Sequence, residues 1–129
     1  MKEQTFPTEA ELAILAVLWK RGPSTVREVH EALGREEGKG AGYTTTLKQL
    51  QVMATKELVT RDESSRSHVY AARVAEARTK RQLVKNLLER LFDGSPAKLV
   101  LQALSIKPAS KEELEELRRL LDDKNGEGR

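Results

Sequence analysis

Cysteine is absent from the chain, histidine occurs twice, and aromatic residues make up only 4% of it. Without cysteine there is neither a disulfide nor a thiolate metal site. His30 and His68 alone cannot build an ordinary zinc centre, so no metal and no cofactor is expected. Too few rings are present for a platform that stacks unpaired bases, so any nucleic acid bound should be duplex. Long hydrophobic runs are also missing: none approaches the ~18 residues of a membrane span. The opening MKEQTFPTEAE lacks the character of a signal peptide. A cytoplasmic protein with no membrane insertion is the expectation, one domain or a small domain with an appendage.

Charge is plentiful, at 33% of residues with a net charge of +3, which permits an anionic partner without requiring one. Its distribution is more informative. Residues 38–61 carry Lys39, Lys48, Lys56 and Arg61 against Glu57 alone, whereas Glu112 to Asp123 holds six acids against Arg118 and Arg119. A basic middle and an acidic end point to two different jobs.

Thr8-Glu9-Ala10-Glu11 is a capping box that opens a helix to about Trp19, with Leu12, Leu15, Ala16 and Trp19 on its apolar stripe. Lys20-Arg21-Gly22-Pro23 closes it. Ser24 or Thr25 caps a second helix, and with Thr25 as the cap Glu28 completes a second capping box. Val26, Val29, Ala32 and Leu33 are its apolar positions and His30 lies off the stripe, as a solvated residue. A glycine-rich connection, residues 34–42, leads to the central stretch, GYTTTLKQLQVMATKELVT. At about 100° per residue, Thr46, Leu47, Leu50, Met53 and Ala54 form a core seam. Thr44, Thr45, Lys48, Gln51, Val52 and Thr55 face the other way, with Gln49 at the boundary. No carboxylate occurs from Gly38 to Lys56, and hydroxyls and amides beside a cation suit base edges and phosphates.

Leu58 to Arg61 reads as a strand, Asp62 to Ser65 as a turn, and Ser67 to Ala71 as a returning strand with Val69 and Ala71 on one face and His68 and Tyr70 on the other. Three helices followed by a two-stranded hairpin make a mainly α, winged helix-turn-helix domain, residues 1–73, whose hairpin tip lies near Arg66. The expected DNA-contacting set is Thr44, Thr45, Lys48, Gln49 and Gln51 on the helix, with Arg66 and His68 on the wing.

Residues 74–129 read as a helical dimerisation region. A helix from Ala75 to Phe92 carries Leu83, Val84, Leu87, Leu88 and Leu91 on one side, and Gly94 caps it. Ser95-Pro96 starts another, Pro108-Ala109 breaks it, and Ser110 to Glu113 is a third capping box. The last helix carries Leu114, Leu117, Leu120 and Leu121, with a tail expected to fray from Asp122. Three short leucine-rich helices make a poor core alone and a good half of a shared one. Leu83, Leu87, Leu91, Leu101, Leu114, Leu117 and Leu121 are the expected dimer interface.

The opening TEAELAILAVLW, the STVREVHEAL helix, the YTTTLKQLQVMATKELV helix, and the late SPAKLVLQAL and KEELEELRRLL, in this order, resemble the penicillinase-repressor (BlaI/MecI/CopY) family of bacterial winged-helix repressors. The resemblance covers residues 8–121. It implies a homodimer that binds a palindromic duplex operator through Thr44, Thr45, Lys48 and Gln51. Well-known members carry arginine where this chain has Val52, so their operator does not transfer. The copper-responsive branch uses cysteine pairs, which this chain lacks. In the penicillinase repressors a membrane-bound metalloprotease sensor triggers cleavage in a Leu-Val-Leu-Asn-Phe segment. Here Leu99-Val100-Leu101 is kept and Gln102-Ala103 replaces the last pair, so Gln102 and Ala103 mark the corresponding cleavage site.

No catalytic residues are expected. Ser67 and His68 are adjacent, but neighbours on a strand point to opposite faces and cannot cooperate. The rival to DNA binding is a winged helix that binds protein within a signalling assembly.

Overall fold

The computed structural model describes residues 6–35 and 42–127, so most of the glycine-rich connection, Lys39 with it, lies outside the described residues. The chain divides into two compact units, residues 1–83 and 84–129. The elements run α1 (Glu9–Arg21), β1 (Ser24–Thr25), α2 (Val26–Ala32), α3 (Tyr43–Thr55), β2 (Val59–Asp62), β3 (Val69–Ala72), α4 (Glu76–Leu91), α5 (Pro96–Ile106) and α6 (Lys111–Glu127).

In the first unit, local chemistry sets each helix start. The Glu11 N–H donates to Thr8 Oγ1 at 3.2 Å while the Thr8 N–H donates to Glu11 Oε1 at 2.9 Å. Thr25 and Glu28 repeat the same reciprocal pair at the start of α2. Two orphan amides are satisfied at each, which stabilises a helix start by about 1 kcal/mol. α3 ends with Glu57 in the left-handed region, at φ +65°, which lets the Leu58 N–H reach the Met53 carbonyl at 2.9 Å and turns the chain into β2. β2 and β3 pair antiparallel with Val59 opposite Ala72 and Asp62 opposite Val69. This is a winged helix-turn-helix.

The sheet has a third strand that the sequence did not announce. β1 pairs antiparallel with β3, Ser24 opposite Tyr70 and Thr25 opposite Val69, giving the order β1-β3-β2. A two-residue strand is too short to show alternation. Behind the sheet and between the helices lies the core: Ile14, Leu15, Leu18, Val26, Val29, Leu50, Met53, Leu58, Val59 and Tyr70.

Several side chains differ from their expected setting. Ala16 and Ala32 are exposed, and the buried stripe of α1 is instead Ile14, Leu15 and Leu18, with Trp19 half-buried. The Trp19 indole N–H donates to the Val74 carbonyl at 3.0 Å. His30 is not a free surface residue, since its Nδ1 lies 2.9 Å from the Thr46 hydroxyl.

Lys56, counted among the basic residues of the middle segment, is occupied. Its ammonium donates to Glu11 Oε2 at 2.8 Å and Oε1 at 3.1 Å, joining the end of α3 to the start of α1. Burial pushes the Glu11 carboxyl up, but the Lys56 hydrogen bonds and the Thr8 amide outweigh it and hold the group below its ordinary 4.5. A depressed carboxyl contributes stability above its unfolded value that is lost as pH falls through the folded one. Lys56→Ala should therefore cost roughly 2 kcal/mol at neutral pH, less than a fully buried pair because the lysine remains partly solvated. It should also shrink the stability lost on acidification below pH 4.5. Urea denaturation of both proteins at pH 7 and pH 3.5 checks the two effects together.

In the second unit, Gly94, at φ +73°, ends α4 by donating its N–H to the Leu88 carbonyl at 2.8 Å. Ser95 caps α5 with Pro96 in the first turn, and Ser110 and Glu113 form the third capping box. α6 continues to Glu127 rather than fraying at Asp122. Among the described residues from 84 to 124, no side chain is buried.

Candidate nucleic-acid interface

α3 fixes the geometry of the candidate surface. Thr46, Leu50 and Met53 turn inward and are buried, so the helix cannot rotate about its axis without breaking the core. Thr44, Thr45, Lys48, Gln51 and Val52 are consequently presented on the opposite face, and all five are exposed. Gly42 caps α3 and, lacking a side chain, supplies no cap hydrogen bond to the first amides of the helix. Gln49 lies at the edge of this face, where its Oε1 accepts from Arg35 Nη1 at 2.8 Å.

Beside the start of α3 a cleft of about 420 Å³ is lined by Thr25, Arg27, Tyr43, Leu47, Arg66 and His68, among others. It draws on the first turn of α2, the first turn of α3 and the loop between β2 and β3. Two of the residues expected at the interface, Arg66 and His68, thus share one cleft, beside the helix carrying Thr44, Thr45, Lys48 and Gln51. Sequence reading missed Arg27 and Tyr43. The Arg27 guanidinium lies 5.4 Å from the Tyr43 ring centroid, and His30 meets the same ring edge-on at 5.8 Å. Arg27 had one local signal, its place in the first turn of α2 off the Val26 and Val29 stripe. Tyr43 had none, because its role depends on α2 folding against it.

Ion pairing occupies several cations of this unit. Lys56 is held by Glu11, Arg21 by Glu28 at 3.5 Å, Arg61 by Glu63 at 3.0 Å and Arg73 by Glu57 at 3.4 Å. Among the described residues of this unit, Arg27, Lys48 and Arg66 are in no ion pair, as are Lys20, Arg35, Arg78 and Arg81; Arg27 and Arg66 line the cleft and Lys48 stands on the outward face of α3. His68 Nε2 comes within 4.0 Å of Glu63 at the wing. Cations outside ion pairs among the described residues, with short hydroxyls around an outward-facing helix, suit a polyanion with acceptors at its edges.

The leucines of the expected dimer interface occupy α4 to α6. Leu91, Leu101 and Leu121 are 69%, 68% and 63% exposed, Leu87 and Leu114 are also exposed, and Leu83 and Leu117 are half-buried. Gln102 and Ala103 are exposed on α5. Ala103 also lines a groove of about 590 Å³ between α5 and α6, together with Leu104, Leu117 and Leu120. Among the described residues no cluster of acids and histidines could hold a metal, and no helix is long and apolar enough to cross a membrane.

The family profile described as penicillinase repressor matches residues 7–123. A transcriptional regulator BlaI from Mycobacterium tuberculosis is 42% identical over 64 residues, a stretch covering 49% of this chain and 45% of that protein. The alignment thus spans less than half of that relative's length. The backbone is similar to a MarR family protein from Bacillus stearothermophilus, with a TM-score of 0.48 and 20% identity, covering 93% of this chain and 74% of that one. It is also similar to a probable transcriptional regulator from Pseudomonas aeruginosa, with a TM-score of 0.45 and 20% identity, covering 90% of this chain and 76% of that one.

Proposed function

The chain belongs to the penicillinase repressor family of winged-helix transcriptional regulators, and on that premise we propose that it is a homodimeric repressor of a palindromic duplex operator. α3 enters the major groove with Thr44, Thr45, Lys48 and Gln51 toward the base edges. Arg27, Arg66 and His68 meet the flanking phosphates, and the wing carries no base contact. The observation that supports this most is the segregation of cations. Arg27, Lys48 and Arg66 remain outside ion pairs around a helix face that bears no carboxylate, while the other described cations up to Arg73, bar Lys20 and Arg35, are matched to acids. Cytoplasmic action follows from this reading.

Lys48→Ala should weaken operator binding by about 1–3 kcal/mol and relax preference at one base pair, as expected of a side chain that reads a base. Arg66→Ala should weaken all duplexes alike and lower the salt dependence by about one phosphate contact. Fluorescence anisotropy on the duplex selected by the wild-type protein, over a salt series, distinguishes the two patterns. Unchanged affinity of Lys48→Ala for every duplex would remove α3 from the groove.

A further inference from the structure

Arg35 sits just beyond α2, and the two hydrogens of a single nitrogen, Nη1, are both committed. One goes to the Thr46 hydroxyl at 2.9 Å and the other to Gln49 Oε1 at 2.8 Å. Thr46 is fully buried, and His30 Nδ1 lies 2.9 Å from its hydroxyl from the α2 side. The guanidinium is therefore anchored at one hydrogen by a group that cannot move without disturbing the core. The other hydrogen decides the state of Gln49.

A glutamine amide carries an acceptor and a donor end, and rotation by half a turn exchanges them. Beside Arg35 that rotation is forbidden chemically. The exchanged orientation would set the Gln49 NH₂ against a guanidinium that has hydrogens and no acceptor. The oxygen is held on the protein side, and the nitrogen, Nε2, is the end left for a partner. An unrestrained glutamine reads adenine by using both ends at once, accepting from N6 and donating to N7. A glutamine whose oxygen is turned to Arg35, with one lone pair already taken, presents its NH₂ end outward and meets a partner chiefly as a donor, suited to an acceptor such as guanine O6 or N7, thymine O4 or a phosphate oxygen.

We propose that Arg35 is a positioning residue that fixes the Gln49 amide, so that Gln49 meets duplex DNA as a hydrogen-bond donor and disfavours adenine at the base pair it faces. The inference rests on the proposed operator binding and adds to it a residue that no periodicity argument reaches. Charge alone does not explain the arrangement, because both acceptors of Arg35 among the described residues are neutral oxygens.

The test uses the whole 129-residue chain and a randomised duplex library. Enriched sequences are read for wild type, Arg35→Met, Gln49→Ala and Gln49→Glu, with thermal melting to confirm that each variant is folded. Wild type should enrich a site with an acceptor-bearing base, guanine or thymine, at one position on each half. Gln49→Ala should flatten the preference at that position, by about tenfold in relative affinity. Gln49→Glu keeps the Arg35 partner but has no donor, and should lose binding to all enriched sites. Arg35→Met frees the amide and should move the preference at the same position toward adenine. Gln49 lies outside the hydrophobic core, so Gln49→Ala remains informative should Arg35→Met fail to fold. A uniform loss of affinity in Arg35→Met with unchanged base preference, or an unchanged profile for Gln49→Ala, would overturn the proposal and leave operator binding standing. Failure of wild type to enrich any sequence would overturn both.

Discussion

Replacing Leu101 and Leu121 together by aspartate should leave the winged unit folded, convert the protein to a monomer, and lower operator affinity by at least about a hundredfold. These leucines are 68% and 63% exposed, so a charge at either site meets water in the isolated chain and destabilises little. In a two-fold interface the same charges would face their own counterparts across an apolar seam, which is costly on both desolvation and repulsion grounds. The affinity loss follows from bivalency. Two α3 helices joined in one molecule bind the second half-site at a high effective concentration, and a monomer must bind each alone. Sedimentation equilibrium and anisotropy on the same samples check both halves of the expectation. A wild-type protein that sediments as a monomer at micromolar concentration would remove the dimer and the palindromic geometry with it.

The second large effect concerns how repression ends. A single cut between Leu101 and Ala103 should release the operator, with a loss comparable to that of the aspartate variant. It would divide α5 and separate α6, with Leu114, Leu117 and Leu121, from the rest of the chain. The segment is helical from Pro96 to Ile106, so a protease that takes an extended strand must first unwind it. Gln102 and Ala103 are exposed, and a short helix with no buried side chain among the described residues has little packing to resist that unwinding. A membrane-bound metalloprotease sensor system is the partner this scheme requires. Mass spectrometry of the protein from its native cells under inducing stress checks it, with fragments ending near Leu101 expected. Release of the operator by an intact chain would assign the switch to a ligand or a protein antagonist instead.

What the sequence disclosed, and what it withheld, divides along the range of the interactions involved. The three capping boxes at Thr8, Thr25 and Ser110 were readable because each links residues three apart. The inward seam of α3 was readable because its outer face is polar and the contrast fixes the phase. α1 offered no such contrast. From Leu12 to Trp19 every residue is apolar, so periodicity could not separate the true stripe of Ile14, Leu15 and Leu18 from one containing Ala16. His30 and Arg35 take their roles from partners 16 and 14 positions away in sequence. β1 depends on pairing with the distant β3, and Arg27 on a neighbouring helix, and no local pattern encodes either. The same is true of Lys56, whose charge counts toward a basic segment in one dimension and toward an ion pair with Glu11, 45 residues away, in three. The candidate surface was therefore legible as a helix face but not as a cleft.

The salt dependence of duplex binding by the full chain tests the central claim most directly. Each phosphate neutralised releases counterions, so the logarithm of the affinity should fall linearly with the logarithm of salt concentration, by about 0.9 per contact. Arg27 and Arg66 from each protomer, at the flanking phosphates, predict a slope steeper than about −3 on a palindromic duplex. A slope near zero, or no binding at about 50 mM salt, would contradict the account and turn the same surface toward a protein partner.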